Sequence, residues 1–557
     1  MSAGTTSGLG EAQPEAGKTE AGTGTETEET GAGIGTGGAE KPEAGEAGSE
    51  AGPGEDERDG GPGAGAAEGA DEPAGEKAPR FRRRRPHALV LGAIVAVAAT
   101  AYAVLGLVKL GTFRASIFDL VIFDQAVRGY AGFGPPVEPS VGMFYGHGMD
   151  FVQLADHFSP IVALLAPLYW IHDGPETLIV AQAVLLALAA IPIWRFAERR
   201  LGATCAHLVA VAYVVSWPVA QTAGFDFHEA AFAPLLTAIM IERFDAGRKL
   251  PGFLAALALL LVKEDMGLLV AAFGVYLLCT RRRLEGAALV SFSLGALVMI
   301  RNVLMPMAGS GEAGFHWAYG RWGATLGEVA LGLARDPLGA LWQFVSPEIK
   351  VDTLAFLLWP LLLTVLFSPL TLVALPMIAE RFLGDRTQWW GPDYHYNAFI
   401  VAVLFCAAVD GVDRLGKLLK RRFGGRLRGW SPARHWAVAV CVIGITLIPR
   451  FQLGNLVEWS FYEGDPHVAA AREAVRTVPD GVIVEAVNHV GPALTSRTTV
   501  LLWGMQPYGS PWIVADVDRW SYPFPSHDQQ RERVEGALRE GYRKVFERDG
   551  YVVLHRP

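Results

Sequence analysis

The sequence predicts an α-helical polytopic membrane protein of about eleven transmembrane helices, with a small C-terminal extracytoplasmic α/β domain. Three observations predict it. The 557 residues are 51% hydrophobic with a mean hydropathy of +0.26, too apolar for an ordinary soluble chain. Between residues 80 and 449 apolar segments follow one another, with basic residues gathered at alternate connections. From residue 450 that pattern gives way to short apolar runs interleaved with charged helical ones.

Residues 1–79 hold 18 acidic and 4 basic residues, a net −14 that leaves +5 for the rest of a chain totalling −9. Gly, Ala, Glu, Thr and Pro dominate, so this segment cannot bury enough apolar surface to offset its ordering entropy. It reads as a disordered, acidic cytoplasmic tail without chemistry of its own. Arg80 and Arg82–Arg85 then precede an apolar run, His87–Leu110, long enough to cross a bilayer. A signal peptide would not normally follow so long a polar stretch. The arginines keep that end in the cytoplasm, which places the next loop, 111–160, outside.

The later segments agree with that orientation. Ile161–Ile171 is too short to span and reads as a dip into the outer interface. Thr177–Trp194 runs inward to Arg195, Arg199 and Arg200. Ala203–Val219 returns to the outer sequence Phe225-Asp226-Phe227-His228-Glu229, and Ala230–Ile241 goes back to Arg243, Arg248 and Lys249. Gly252–Val262 rises to Lys263-Glu264-Asp265, Met266–Cys279 descends to Arg281–Arg283, and Ala287–Leu304 leads out into a long loop. Leu354–Phe367 and Leu370–Phe382 form a pair turning at Ser368-Pro369. Asn397–Val409 comes in to a strongly basic segment that includes Arg414, Lys417, Arg426, Arg428 and Arg434, and Trp436–Pro449 makes the last crossing. The N-terminus is therefore expected inside and the C-terminus outside the cytoplasmic membrane. Cys205, Cys279, Cys406 and Cys441 all fall in apolar segments, so neither a disulfide framework nor a CxxC metal site is expected.

Polar residues collect at the outer ends of these segments. The first outer loop carries Asp119 and Asp124 among apolar residues at helical spacing (Phe113, Ile117, Leu120, Val121, Phe123, Val127), then a Gly/Pro-rich half with His147, Asp150, Asp156 and His157. Two carboxylates beside a His/Asp-rich loop suit general acid–base work, whereas an amphipathic helix on lipid headgroups would only keep its acids wet. Five residues on a helix turn the two acids roughly 140° apart, so one of them is expected to face a substrate. Asp226, His228 and Glu229, then Lys263, Glu264 and Asp265, then Glu380, Arg381, Asp393, Tyr394, His395 and Tyr396 stand at other outer ends. Each group alone fits a structural ion pair; their convergence on one face points to one polar cavity. His147, His157, His228, His316 and His395 would face the same side, but no tight ligand spacing such as HExxH occurs. No metal site is therefore assigned, and a divalent cation stays open as a cofactor.

These motifs resemble the GT-C superfamily of glycosyltransferases. Asp119-Leu120-Val121-Ile122-Phe123 is similar to the first-loop pattern of such enzymes. His157-Phe158-Ser159-Pro160 stands where they return to the membrane, and Val262-Lys263-Glu264-Asp265 places a lysine atop a span as they do. Taken together, FDLVIFDQ, DHFSP, FDFHE, VKED and YHY resemble a family of bacterial polytopic membrane proteins of unassigned function, itself similar to GT-C enzymes, over residues 86–557. One departure concerns the acids: many GT-C loops carry adjacent Asp-Glu, whereas Gln125 follows Asp124 here, which leaves the choice of base open. The resemblance implies transfer of a hexose or pentose from a polyprenyl-phosphate donor to an envelope glycan, lipid or protein at the outer membrane face. It implies membrane lipid as a partner and no nucleic acid. Within it Asp119 is the first choice of base and Asp124 the second, with Lys263 and Arg381 for the donor phosphate. His157, Asp226, His228, Glu229, Glu264, Asp265, Tyr394, His395 and Tyr396 would shape the substrate pocket. A transporter or flippase of a lipid-linked envelope precursor is the alternative, although it should place charges at the bilayer midplane and show internal repeats.

The final region, 450–557, reads as a helix over Asp465–Val478 and a turn at Pro479-Asp480-Gly481 into the run Val482–Val487. Strands over Thr499–Trp503 and Trp512–Val517, a charged helix over Ser526–Glu540 and a last strand at Tyr551–His555 complete it. With no Gly-rich phosphate loop and no nucleophile motif, its expected role is acceptor binding or a structural cover over the cavity.

Overall fold

A computed structural model describes residues 80–309, 317–423 and 431–557, with the backbone alone for 80–85. The acidic tail 1–79, His316, Arg426 and Arg428 lie outside the described residues. The chain is mostly helical, with one five-stranded sheet near its C-terminus.

Among the described residues, four helices are long and apolar enough to cross a membrane: Pro86–Gly111, Pro175–Leu201, Arg283–Ala308 and Pro432–Arg450. Ala203–Val214 and Trp217–Gly224 add a fifth if they form one span bent by 41°. The bend falls where Pro218 lacks the amide hydrogen that a continuous helix would use. Other apolar segments, including Lys249–Leu259 and Met266–Cys279, are shorter helices. The expected pair 354–367 and 370–382 departs most from continuous helices. Helix Glu348–Leu358 ends at Trp359-Pro360, Leu362 and Leu363 take positive φ, and short 3₁₀ turns lead to helix Leu375–Leu383. Pro360 and Pro369 cannot donate to a helical ladder, so apolar composition alone suggests crossings that the backbone does not complete. The count of about eleven crossings stays an expectation of the sequence.

Buried charges occur at two ends of the helical framework, where the sequence suggests one. Helix Phe232–Asp245 starts beside His228 and Glu229, and ends at the buried Glu242, which pairs with Arg199 and Arg243. Asp245 pairs with Arg199 and Arg200, and Asp410 with Arg200 and Arg414. These acids neutralise basic residues that sequence reading assigns to solvent, and so tie helix ends together.

The C-terminal sheet contains β1 (Ile483–Ala486), β2 (Thr499–Leu502), β3 (Trp512–Asp516), β4 (Arg543–Arg548) and β5 (Tyr551–His555), in the order β2-β1-β3-β5-β4. β1 is parallel to β2 and β3; β5 runs antiparallel to both β3 and β4. Asp549 and Gly550 join β4 to β5 with positive φ at both positions, as a two-residue hairpin needs. Helices Pro466–Thr477 and His527–Arg539 flank the sheet, each begun by a side-chain cap from Asp465 or Ser526.

The loop 111–160 joins the two cores. Ile117 and Val121 are fully buried in the core around the sheet, while Leu120, Phe123 and Val127 are buried in the core of the membrane helices. Alternating destinations of neighbouring side chains fix this stretch between the two bodies.

Candidate active site

The residues around Asp119 do not continue a helix from Phe113. Helix Ile122–Ala131 begins after Asp119, and Asp119 itself takes φ 79° and ψ −67°. A non-glycine residue held there carries strain of about 1–3 kcal/mol and persists only where its surroundings fix it. They do so from both sides. The backbone amide of Ser116 donates to Asp226 Oδ2 at 2.7 Å, and that of Ile117 donates to Asn488 Oδ1 at 2.9 Å. Phe118 packs edge-on against Phe144 and Tyr522. Gly491 permits a close approach: a Cβ there would stand 2.2 Å from Ile117 Cγ1.

Asp119 opens onto a polar cavity of about 280 Å³. The structure also brings His157, Asp226, His228, Lys263, Tyr394, His395 and Tyr396 onto its wall. Asp156 and three cations that sequence reasoning missed, Lys109, Arg114 and Arg386, line it as well. Burial pushes the Asp119 carboxyl up to about 6, with Asp226 and Glu229 adding to the shift and His228 and His157 opposing it. A carboxylate tuned to that range is ionised at neutral pH yet basic enough to take a proton.

Buried pairs support these walls from behind, and Glu229, Glu264 and Asp265, expected to shape the pocket, lie there and not on its lining. The His228 ring stacks on His395 at 3.6 Å, and His228 Nδ1 lies 2.7 Å from Glu229 Oε2. Glu229 is fully buried behind the wall, 3.9 Å from Lys263 Nζ. Burial works against the Lys263 charge, but Asp265, Glu229 and Glu264 outweigh it and hold the ammonium protonated. Glu264 takes the His157 ring at 3.1 Å and the Phe158 amide at 3.2 Å. Burial favours its neutral form, yet His157 and Lys263 hold it well below the usual carboxylate range. For Asp265 burial prevails, and its carboxyl is pushed up to about 6. Neither ring nitrogen of His395 has a hydrogen-bond partner among the described residues, and burial keeps this ring neutral. It therefore presents a hydrogen-bonding edge that a bound molecule could satisfy.

Two residues expected at the chemistry lie elsewhere. Asp124 is fully buried away from the cavity wall and accepts from Tyr169 Oη (2.7 Å), Thr495 Oγ1 (2.8 Å) and Arg128 Nη2 (2.7 Å). Its lone pairs clasp the loop to the membrane helices and to the C-terminal domain. Arg381 is also off the wall: its guanidinium donates to the Trp389 carbonyl at 2.6 and 2.9 Å and to Asn397 Oδ1 at 2.8 Å. The folded-back segment 384–397 has carbonyls to satisfy, and Arg381 supplies the donors. Arg386 instead reaches the cavity, over the Trp389 ring. Sequence reasoning also missed Glu138, a fully buried acid whose carboxyl is pushed well above the usual carboxylate range by burial, with Asp156, Glu229 and Asp119 adding to the shift.

A second cavity of about 700 Å³ shares Lys109, Arg114 and Ser116 with the first and extends along the C-terminal domain to His467, His489, Arg519 and Tyr551. Among the described residues, the acid and imidazole ligand atoms that lie within 4.8 Å of one another as a group of three belong to His467, His489 and Asp516. The histidines of the first cavity form no comparable group among the described residues.

The chain is similar to solved structures of ArnT from Cupriavidus metallidurans. The apo form gives 13% identity over 85% of this chain and 98% of that one (TM-score 0.49), and the form bound to undecaprenyl phosphate gives 14% over the same shares (TM-score 0.46). It is also similar to the archaeal oligosaccharyltransferase AglB from Archaeoglobus fulgidus in complex with an inhibitory peptide and a dolichol-phosphate. That match has 14% identity over 79% of this chain and 70% of that one (TM-score 0.44). No curated protein matches the chain. The profile of DUF2079, described as a predicted membrane protein, matches residues 109–553, so the chain belongs to the DUF2079 family of predicted membrane proteins.

Proposed function

We propose that this membrane protein transfers a sugar from a polyprenyl-phosphate donor to an acceptor hydroxyl of the cell envelope at the outer membrane face. The observation that carries the reading is Asp119, held at positive φ on the wall of a cavity that also presents Lys263, Arg386, Lys109 and Arg114. An acid raised in pKa beside several cations suits a reaction in which one proton is removed while negative charge grows nearby. The acceptor oxygen attacks the anomeric carbon as the bond from that carbon to the phosphate oxygen breaks. Asp119 takes the hydroxyl proton, and the polyprenyl phosphate leaves with the bonding electron pair. Lys263 and Arg386 are placed in the role of stabilising the charge of that leaving phosphate. His395 and His228, stacked on each other, contact the sugar from one side of the cavity, and the second cavity, which meets the first at Lys109, Arg114 and Ser116, gives the acceptor its approach.

The test is sugar transfer by the purified full chain in detergent, supplied with polyprenyl-phosphate hexoses and pentoses and an envelope extract as acceptor. Labelled product from the wild type and none from Asp119→Asn is the expected result. Movement of intact lipid-linked sugar across liposomes by both proteins, with no transfer, would replace this reading by transport.

A further inference from the structure

We propose that His467, His489 and Asp516 form a binding site for one late first-row divalent metal ion, zinc foremost, on the C-terminal domain. His467 lies in the first turn of helix Pro466–Thr477, His489 in the turn after β1, and Asp516 at the end of β3. β1 and β3 are parallel, so the cluster stands outside the carboxyl ends of parallel strands, where open α/β sheets place ligands. Two imidazoles with one carboxylate form a borderline-soft donor set that suits zinc.

The distances admit an ion. His489 Nε2 is 3.5 Å and His467 Nε2 is 2.6 Å from Asp516 Oδ2. Tetrahedral ligands at zinc bond lengths sit about 3.4 Å apart. The first spacing already fits, and the second has to widen by about 0.8 Å as a metal replaces the shared proton. Asp516 is oriented for this: its Oδ1 accepts from the amides of Asp518 and Arg519, each at 3.0 Å, which leaves Oδ2 for the histidines. Tyr551 Oη lies 2.8 Å from His489 Nε2, and where its hydroxyl donates there it takes the one lone pair of that nitrogen, so it has to turn away as a metal binds. Asp516 is fully buried, while both histidines line the second cavity, so the ion's remaining coordination position faces that cavity. The site does not depend on the glycosyl-transfer reading.

The experiment uses the full chain in detergent, stripped with a chelator and equilibrated with zinc alone. Bound metal is counted by elemental emission after gel filtration, and cobalt substitution gives an absorption spectrum of the ligand field. We expect about one zinc per wild-type chain and intense visible cobalt bands of tetrahedral type. Asp516→Asn keeps the Oδ1 acceptor for both amides, and His489→Gln changes a partly exposed ring. Each should weaken zinc binding by about tenfold or more and abolish the cobalt bands. Circular dichroism and gel filtration confirm that the variants are folded. His228→Gln, in the first cavity, should leave the metal content unchanged. Wild-type protein without stoichiometric metal would overturn the proposal and leave a hydrogen-bonded His–Asp–Tyr cluster, as would full retention by Asp516→Asn and His489→Gln. Loss of the ion in His228→Gln alone would place it in the other cavity and equally overturn it.

Discussion

Asp119→Asn separates catalysis from stability, because the two effects have opposite signs. The substitution keeps the size and one carbonyl oxygen of the side chain but removes the group that takes a proton. Loss of a general base typically lowers the rate by about 10²–10⁴-fold. Stability moves the other way. Asp119 has a folded-state pKa raised from 3.8 to about 6, chiefly by burial, so folding binds its proton more tightly than the unfolded chain does. Its stabilising contribution is complete below pH 3.8 and is lost as pH rises through about 6. At neutral pH the ionised carboxylate therefore costs at most about 3 kcal/mol, reduced by whatever water the cavity admits. The neutral amide escapes that cost. We expect Asp119→Asn to melt at the same temperature as wild type or higher at pH 7.5, with the difference shrinking as pH falls below 6. The assays are sugar transfer from a polyprenyl-phosphate donor and thermal unfolding in the same detergent, each at several pH values. In wild type kcat/KM should fall about tenfold per pH unit below the Asp119 pKa. Wild-type rates in the variant would refute the base assignment. A variant that is inactive and also melts lower at neutral pH would refute the electrostatic account.

Three further outcomes follow from the same contacts. Asp124→Asn should lower stability by about 2–3 kcal/mol, seen as a reduced melting temperature, because it breaks charge-assisted bonds at a fully buried group. The folded fraction should still transfer sugar, and a wild-type melt would show that the clasp is dispensable. Lys263→Gln should weaken binding of a polyprenyl-phosphate donor while the protein stays folded, and unchanged donor affinity would remove Lys263 from the phosphate site. Gly491→Ala should destabilise by about 1–3 kcal/mol and slow transfer, since the new methyl meets Ile117 two residues before Asp119. Ile117→Ala, which removes both Cγ1 and Cδ1, should cost less in the Gly491→Ala background than in the wild type; equal costs would show that the two residues are not coupled.

The polar cavity was legible because charge at membrane depth is expensive and few residues carry it. Asp119, Lys263, His157, Asp226, His228, Tyr394, His395 and Tyr396 were readable on that ground, and they share one cavity wall. Four strands of the C-terminal domain were legible from short apolar runs bounded by turn residues, whereas β4, with Arg543, Lys544, Glu547 and Arg548, has no such run. What stayed hidden depends on partners far along the chain. Asp124 reads like Asp119 in sequence, and only Thr495 and Tyr169 reveal it as a clasp. Arg381 and Arg386 lie five residues apart, and the backbone carbonyl of Trp389 decides which of them is spent. Helical spacing from Phe113 onward predicted one continuous helix, because Ile117, Leu120 and Val121 are all apolar. They are apolar for two different cores, and the chain turns between them at Asp119.

That turn makes the C-terminal domain a structural part of the site rather than a cover over it. Strain of about 1–3 kcal/mol at Asp119 has to be held by something larger. Full burial of Ile117, Val121 and Leu120 contributes about 1.5–3 kcal/mol each, before the bonds from Asp226 and Asn488 are added. Two of those three side chains, and Asn488, belong to contacts with the C-terminal domain. Without that domain the burial left, that of Leu120, is of the same size as the strain, and the loop would lose its preference for the turn. The carboxylate would then no longer be directed at the cavity, although every residue lining the membrane side stayed in place. A domain without a nucleophile or phosphate loop thus acts on the cavity by fixing the backbone beneath Asp119.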